Sequence, residues 1–409
     1  MTRWIALLTL ALLAVPAAAA EPFFFQPKDR IVFLGDSITE QYQYSSYVEL
    51  YLTTRYPQGQ MLFLNAGIGG DTANGGAGRF QDHVLSDKPT KVTINFGMND
   101  AGYGNFDAGS NKRFVEKTDA MLDAAKKAGV QVAVVSPNAV DRRLNPNFKN
   151  YVETQKQFYA PLAESAKKFG FPYADQYTVT RTAVEAMEKD DPKAAKAKPY
   201  YDGFHTSPPG GLLMAHAILT QLHAPADVST AEVNAKTGVA KGTAAKISGV
   251  EPNPHGVSFT RLDDALPLPV QKDWLAMLPY TNNLDDLNRY LLTVTDLADG
   301  DYSVRIDGSE VTSTTAAALA AGINLGNLTT GPIYDQGNKV LQAINAKNVV
   351  VKNRFFGVTR LSIPDWLGDV GEPRKQAERA KRLAQIETAQ ADVYKLAQPT
   401  AHKFEIVKK

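Results

Sequence analysis

Three residues have types and spacing suited to chemistry. Ser37 ends an apolar run, and Asp202 and His205 stand three residues apart much later in the chain. A serine hydroxyl is a weak nucleophile at neutral pH and needs a neighbouring base to take its proton. A neutral imidazole can do this, and a carboxylate on its other nitrogen fixes the tautomer and steadies the charged ring. One short turn could hold both Asp202 and His205. Acyl transfer through such a serine also develops negative charge on a carbonyl oxygen, which wants preset N–H donors. Plain structural uses compete with this. Serine is a favoured helix cap, so Ser37 after Gly35-Asp36 is either a cap or a nucleophile. His205 could be a capping or core histidine, although it alone among the six histidines has an Asp three residues earlier.

The elements that must position these residues are short apolar runs. Ile31–Leu34 is unbroken by polar residues, as a strand covered on both faces requires. Glycine at position 35 then lets the chain turn. Leu62–Leu64, Val92–Phe96, Val130–Val135 and the weaker Phe171–Ala174 read the same way. Helices are expected near Ser45–Arg55, Asn111–Ala128, Phe148–Phe169 and Gly211–Leu222. This alternation predicts an α/β fold: a doubly wound, flavodoxin-like parallel five-stranded sheet in a three-layer α/β/α arrangement. Ligands gather at the carboxyl edge of such a sheet, where Ser37 would stand.

Three more segments fall where they can reach that edge: Asn65-Ala66-Gly67-Ile68-Gly69-Gly70-Asp71-Thr72, Gly97-Met98-Asn99-Asp100 and Asp202-Gly203-Phe204-His205. With Gly35-Asp36-Ser37, and in this order, they resemble the four motif blocks of the SGNH (GDSL-type) hydrolase family over roughly residues 30–222. The resemblance implies that Ser37 is the nucleophile, His205 the base and Asp202 its orienting acid. It makes the backbone N–H groups of Ser37 and Gly70 and the Asn99 side-chain amide the oxyanion hole. Asp36, Asn65 and Asp71 are expected to support them. Taken singly, Asn99 is also a plausible strand-end turn residue and Gly70 a loop glycine; the conjunction favours chemistry. The implied reaction is ester hydrolysis through an acyl-enzyme, with no cofactor and no metal. Other motifs are missing. Thr72 stands where a dinucleotide fingerprint needs its third glycine, and there is neither a P-loop nor a Gly-x-Ser-x-Gly elbow.

Composition narrows the setting. Arg3, the apolar run Trp4–Val15 and Ala18-Ala19-Ala20 read as a secretory signal over residues 1–20, cleaved after Ala20. The expected location is the periplasm or the extracellular medium, with no stable membrane insertion after cleavage. The chain has no cysteine, hence no disulfide and no thiol nucleophile. Lys+Arg 44 against Asp+Glu 43 gives nucleic acid no purchase. The hydrolase domain is expected over 21–225 and a linker over 226–244, where Ala, Thr and Val dominate. A β-rich and helical accessory domain over 245–409 follows. Within it, Ala245–Val250, Val257–Leu262, Tyr290–Val294 and Tyr302–Ile306 read as strands, and Ala316–Ala321 and Tyr334–Asn345 as helices. Pro373–Gln398 reads as a polar helix with one apolar stripe and a solvated basic face.

The expected partner is a small-molecule or glycan ester. Tyr42, Tyr44, Tyr103, Tyr200 and Tyr201 lie near the motifs, and aromatic faces with amides and carboxylates suit sugars. This favours a carbohydrate O-acetylesterase over a lysophospholipase or thioesterase. It is also favoured over a non-catalytic glycan-binding or assembly protein on the same fold.

Overall fold

A computed structural model describes residues 22–409, so the expected signal segment, residues 1–20, lies outside the described residues. The predicted strands pair in parallel as β1 (Arg30–Gly35), β2 (Leu62–Gly67), β3 (Lys91–Asn95), β4 (Gln131–Val135) and β5 (Tyr173–Ala174). Their order is β2-β1-β3-β4-β5, the doubly wound arrangement with its switch point between β1 and β3. Alternate residues of each strand feed opposite cores. Ile31, Phe33, Phe63 and Val135 pack beneath α2 (Gln43–Arg55), α5 (Lys149–Tyr159) and α8 (Pro208–Gln221). Val32, Leu34, Val92 and Val134 pack beneath α3 (Ala73–His83), α4 (Ala108–Lys127) and α6 (Pro161–Phe169). Burial on both faces is why these strands read as apolar runs.

Two details differ from expectation. The helix predicted over Phe148–Phe169 is two, α5 and α6, because Pro161 has no N–H to continue the first and opens the second. Neither α3 nor α7 (Gln176–Asp190) stood out in the sequence. The start of α3 is glycine-rich, Asn74-Gly75-Gly76-Ala77-Gly78, and its propensity is poor. It is held by Thr72, whose hydroxyl accepts from Gly75 N–H, and by the Asp100 carboxylate, which accepts from Ala73 N–H at 3.0 Å.

Residues 226–244 are not a linker. They form β6 (Asp227–Asn234) and β7 (Ala240–Thr243), with β6 inside a sheet of order β13-β10-β6-β7. That sheet faces a second, β12-β11-β14-β9-β8, across one core that includes Val233, Phe259, Leu292, Val304 and Phe404. The remaining strands are β8 (Ala245–Asn253), β9 (Gly256–Asp263), β10 (Arg289–Thr295), β11 (Asp301–Ile306), β12 (Ser309–Thr315), β13 (Ile323–Asn324) and β14 (His402–Lys408). A short α9 (Ala316–Ala321) follows β12.

Nor is 245–409 one accessory unit. Its helices α10 (Pro332–Arg354) and α11 (Gly368–Leu396) leave the β sandwich and dock on the α/β unit. Lys347 on α10 is fully buried and bonds both carboxylate oxygens of Glu49 on α2, at 2.8 and 2.7 Å. Arg354 and Arg379 converge on the buried Asp87 at 2.6 and 2.9 Å. Arg379 therefore departs from the solvated basic face predicted for α11. The apolar stripe of α11 packs within the chain, with Ile386 and Val393 buried. No helix among the described residues is long and apolar enough to cross a membrane.

Candidate active site

The end of β1 delivers Ser37. Gly35 has no positive φ; it is needed because a Cβ there would collide with Thr39 and the Asn95 carbonyl, so the strand end can hug its neighbours. Ser37 opens a short helix, α1 (Ser37–Glu40), but does not cap it. Asp36 is the cap: its Oδ1 accepts from Ile38 N–H at 3.0 Å. The capping alternative for Ser37 is thereby removed, and its hydroxyl is left to another partner. That partner is His205, whose Nε2 lies 2.8 Å from Ser37 Oγ. His205 Nδ1 lies 2.6 Å from Asp202 Oδ2, and His205 N–H donates to Asp202 Oδ1 at 2.9 Å. With Nδ1–H donated to the carboxylate, Nε2 is the acceptor for the serine proton.

The Asp–His loop is held at both ends. Tyr200 and Thr206 form an isolated antiparallel bridge, and Thr206 N–H donates to Gln41 Oε1 at 3.1 Å. The Phe204 ring centroid lies 4.0 Å from that of His205. Partial burial pushes the Asp202 carboxyl upward, but the bonds from His205 outweigh it and hold Asp202 below the ordinary carboxylate range.

The expected oxyanion donors come from three separate segments. Ser37 N–H is in the first turn of α1, where amides have no intrahelical partner. Gly70 takes φ +73° with open space where a Cβ would be, so its backbone can meet a ligand closely. Asn99 Nδ2 donates to the Asp71 carbonyl at 2.9 Å and lies 3.5 Å from Asp36 Oδ2. Tyr103 O–H donates to Asn99 Oδ1 at 2.7 Å, which fixes the orientation of the amide with its NH₂ on the side of Asp71 and Asp36. The supporting residues act as braces. Asn65 Nδ2 donates to the Thr39 carbonyl at 2.8 Å while its Oδ1 accepts from Gly67 N–H, tying β2 to α1. The Asp71 carboxylate pairs with Arg79 at 2.8 Å.

Burial makes Asp36 an unusual acid. Desolvation, with Asp100 and Asp71 nearby, raises its pKa to about 7 against the opposing Ile38 N–H bond. Asp100 is raised to about 7 mainly by burial as well.

Sequence reasoning missed several contributors. Tyr103 was expected as a sugar platform; it locks Asn99 and packs against Phe148, Tyr151 and Phe204. Tyr44 and Tyr200 are buried, so neither is a platform, whereas Tyr201 is 65% exposed at the rim. Glu40 accepts from Gly69 N–H at 2.6 Å and so steadies the loop that carries Gly70. Lys352, from α10, lines the cavity with Ser37 and His205 and stands 3.7 Å from Glu40. Glu40 directly follows the serine block and was within reach of sequence reading. Nothing local marks Lys352.

A parallel sheet with a serine, imidazole and carboxylate in series at its switch point defines a serine-hydrolase type of site. Residues 33–211 match the model of the GDSL-like lipase/acylhydrolase family. The protein is a carboxylic ester hydrolase. Among solved structures it is similar to a gut microbial diltiazem-metabolizing enzyme, at 25% identity and a TM-score of 0.80. That match covers 94% of this chain and 98% of the other, so the sandwich and the docked helices are part of a shared architecture. An acetylxylan esterase from Geobacillus stearothermophilus matches at 20% identity and a TM-score of 0.41, over 49% of this chain and 96% of the other. A hydrolase from the metagenome of Lake Arreo, Spain, matches at 20% identity and a TM-score of 0.41, over 49% and 98%. No curated protein sequence matches the chain.

Proposed function

We propose that the protein is an exported carbohydrate O-acetylesterase. The observation that carries this reading is the character of the cavity around Ser37. It measures about 390 Å³ and is walled by Glu40, Gln41, Asp202 and Lys352, with Tyr201 as its one large apolar surface. A short acyl group fits such a space, and an aromatic face beside amides and charges suits a hydroxyl-rich alcohol. A long acyl chain would instead need an apolar channel to leave water.

In the proposed mechanism, Ser37 Oγ attacks the ester carbonyl as His205 Nε2 takes its proton. Asp202 holds the imidazole in the required tautomer and stabilises the imidazolium. The N–H groups of Ser37 and Gly70 and the Asn99 amide receive the oxyanion. The C–O bond then breaks, the alcohol leaves with the proton from His205, and acetyl remains on Ser37. Water activated by His205 releases acetate.

A series of aryl esters of increasing acyl length, run beside O-acetylated sugars, tests this. A sharp preference for acetyl together with cleavage of acetylated sugars is expected. Activity that rises toward long chains would instead favour a lysophospholipase or thioesterase. Export is tested by sequencing the N-terminus of the protein recovered outside the cytoplasm, which should start after Ala20.

A further inference from the structure

Gln41 belongs to two cavities at once. One is the space beside Ser37; the other, of about 360 Å³, opens next to it between α2 and the C-terminal part of the chain. Its near wall carries Gln41, Tyr42 and Gln43, and its far wall carries Gln271, Asp273 and, from α10, Asn345.

The hydrogen bonds already made give the two walls opposite characters. Gln41 Oε1 accepts from both the N–H and the hydroxyl of Thr206, at 3.1 and 3.2 Å, so its NH₂ is left to donate. Gln43 Oε1 accepts from Tyr47 O–H at 3.3 Å, which again leaves an NH₂. Across the cavity, Gln271 Nε2 donates to the Pro269 carbonyl at 2.8 Å, leaving its Oε1 to accept beside the Asp273 carboxylate. Donors and acceptors therefore line one cavity. A sugar hydroxyl both donates and accepts and can satisfy both walls; a hydrocarbon chain can satisfy neither.

The walls are also fixed. Trp274, fully buried, packs edge-on against Tyr47 at 4.5 Å and pins the Asp273 segment to α2. The buried Lys347–Glu49 pair pins α10 to the same helix. Tyr42, which lines the second cavity next to the shared Gln41, holds a left-handed φ of +63°, backbone strain of the kind that concentrates at ligand sites.

We propose that this second cavity is the subsite for the leaving alcohol, built jointly by the α/β unit and the C-terminal part of the chain, and that its occupant is a sugar unit. The inference rests on the carbohydrate reading above and extends it. The acetyl group occupies the space at Ser37. When the acyl C–O bond breaks, the sugar hydroxyl takes the His205 proton and departs past Gln41. An aryl acetate fills only the first space.

The test compares kcat/KM for O-acetylated oligosaccharides with kcat/KM for an aryl acetate, in the whole protein and in two variants. In Gln271→Ala/Asp273→Ala the acceptor wall is removed. Asn345→Ala, at an exposed helix position where alanine is well tolerated, gives a second reading independent of the first segment. Losing hydrogen bonds to charged and amide groups should lower the sugar-to-aryl ratio about tenfold or more in the double variant and by a smaller factor in Asn345→Ala. A ratio that stays constant, or equal losses on both substrates, overturns the subsite. If the unaltered protein cleaves aryl acetate but no acetylated sugar, the carbohydrate reading falls and the subsite with it. If it cleaves both and the ratio does not move, only the subsite falls.

Discussion

Replacing Asp36 by Asn should stabilise this protein, and do so more at high pH than at low. Asp36 is 3% exposed and its pKa stands at about 7, against 3.8 for the free side chain. Above pH 7 both folded and unfolded chains carry the ionised acid, and folding bears the full cost of burying it. At about 1.4 kcal/mol per pKa unit, a rise of about three units costs about 4 kcal/mol. Between pH 7 and 3.8 the folded chain holds the proton more tightly than the unfolded one, so the cost shrinks as pH falls. Asn keeps the cap on Ile38 N–H, since it is as good a capping residue as Asp. It gives up the long contact with Asn99 Nδ2, a loss of about 1 kcal/mol. The net gain is therefore about 3 kcal/mol at pH 8 and under about 1 kcal/mol at pH 5. Urea unfolding of both proteins at the two pH values measures it. A variant less stable than the parent at pH 8, or a difference that does not vary with pH, would refute the reasoning.

Further outcomes follow from the same contacts. Asn99→Ala should lower kcat by about 10²–10³ with little change in KM, because in the proposed mechanism its amide serves the oxyanion and not the ground state; steady-state kinetics showing an effect confined to KM contradict that role. Lys347→Met leaves Glu49 buried without its partner and should cost about 3–5 kcal/mol of stability in denaturant titrations. Adding Glu49→Leu should recover most of that loss, and a near-neutral single variant would show that α10 is not anchored there.

Much of the α/β unit was legible because its strands are covered on both faces, which leaves apolar runs such as Ile31–Leu34 that ligand chemistry then punctuates. The site was legible for a related reason: Ser37, Gly70, Asn99 and the Asp202–His205 turn each sit in a local motif just past a strand or on one loop. The role of Asp36 was not, since capping and nucleophile duties fall on adjacent residues and the sequence alone does not divide them. β6 was misread because its inward positions are partly small or polar. Ser229 is buried yet bonds Asp263 at 2.6 Å, and Ala231 offers little hydrophobic signal. Lys352 beside Ser37, and Gln271, Asp273 and Asn345 in the adjoining cavity, were invisible because isolated polar residues on a loop and a helix announce nothing until the chain folds.

The central claim is that the Ser37 hydroxyl carries the acyl group. Mass spectrometry of protein quenched during turnover of an aryl acetate tests it most directly, with His205→Ala and Ser37→Ala run alongside. The account predicts one acetyl group on the peptide containing Ser37 in the unaltered protein, none in Ser37→Ala, and loss of hydrolysis in both variants. Full activity in Ser37→Ala, or an acetyl group found only on another residue, would contradict it.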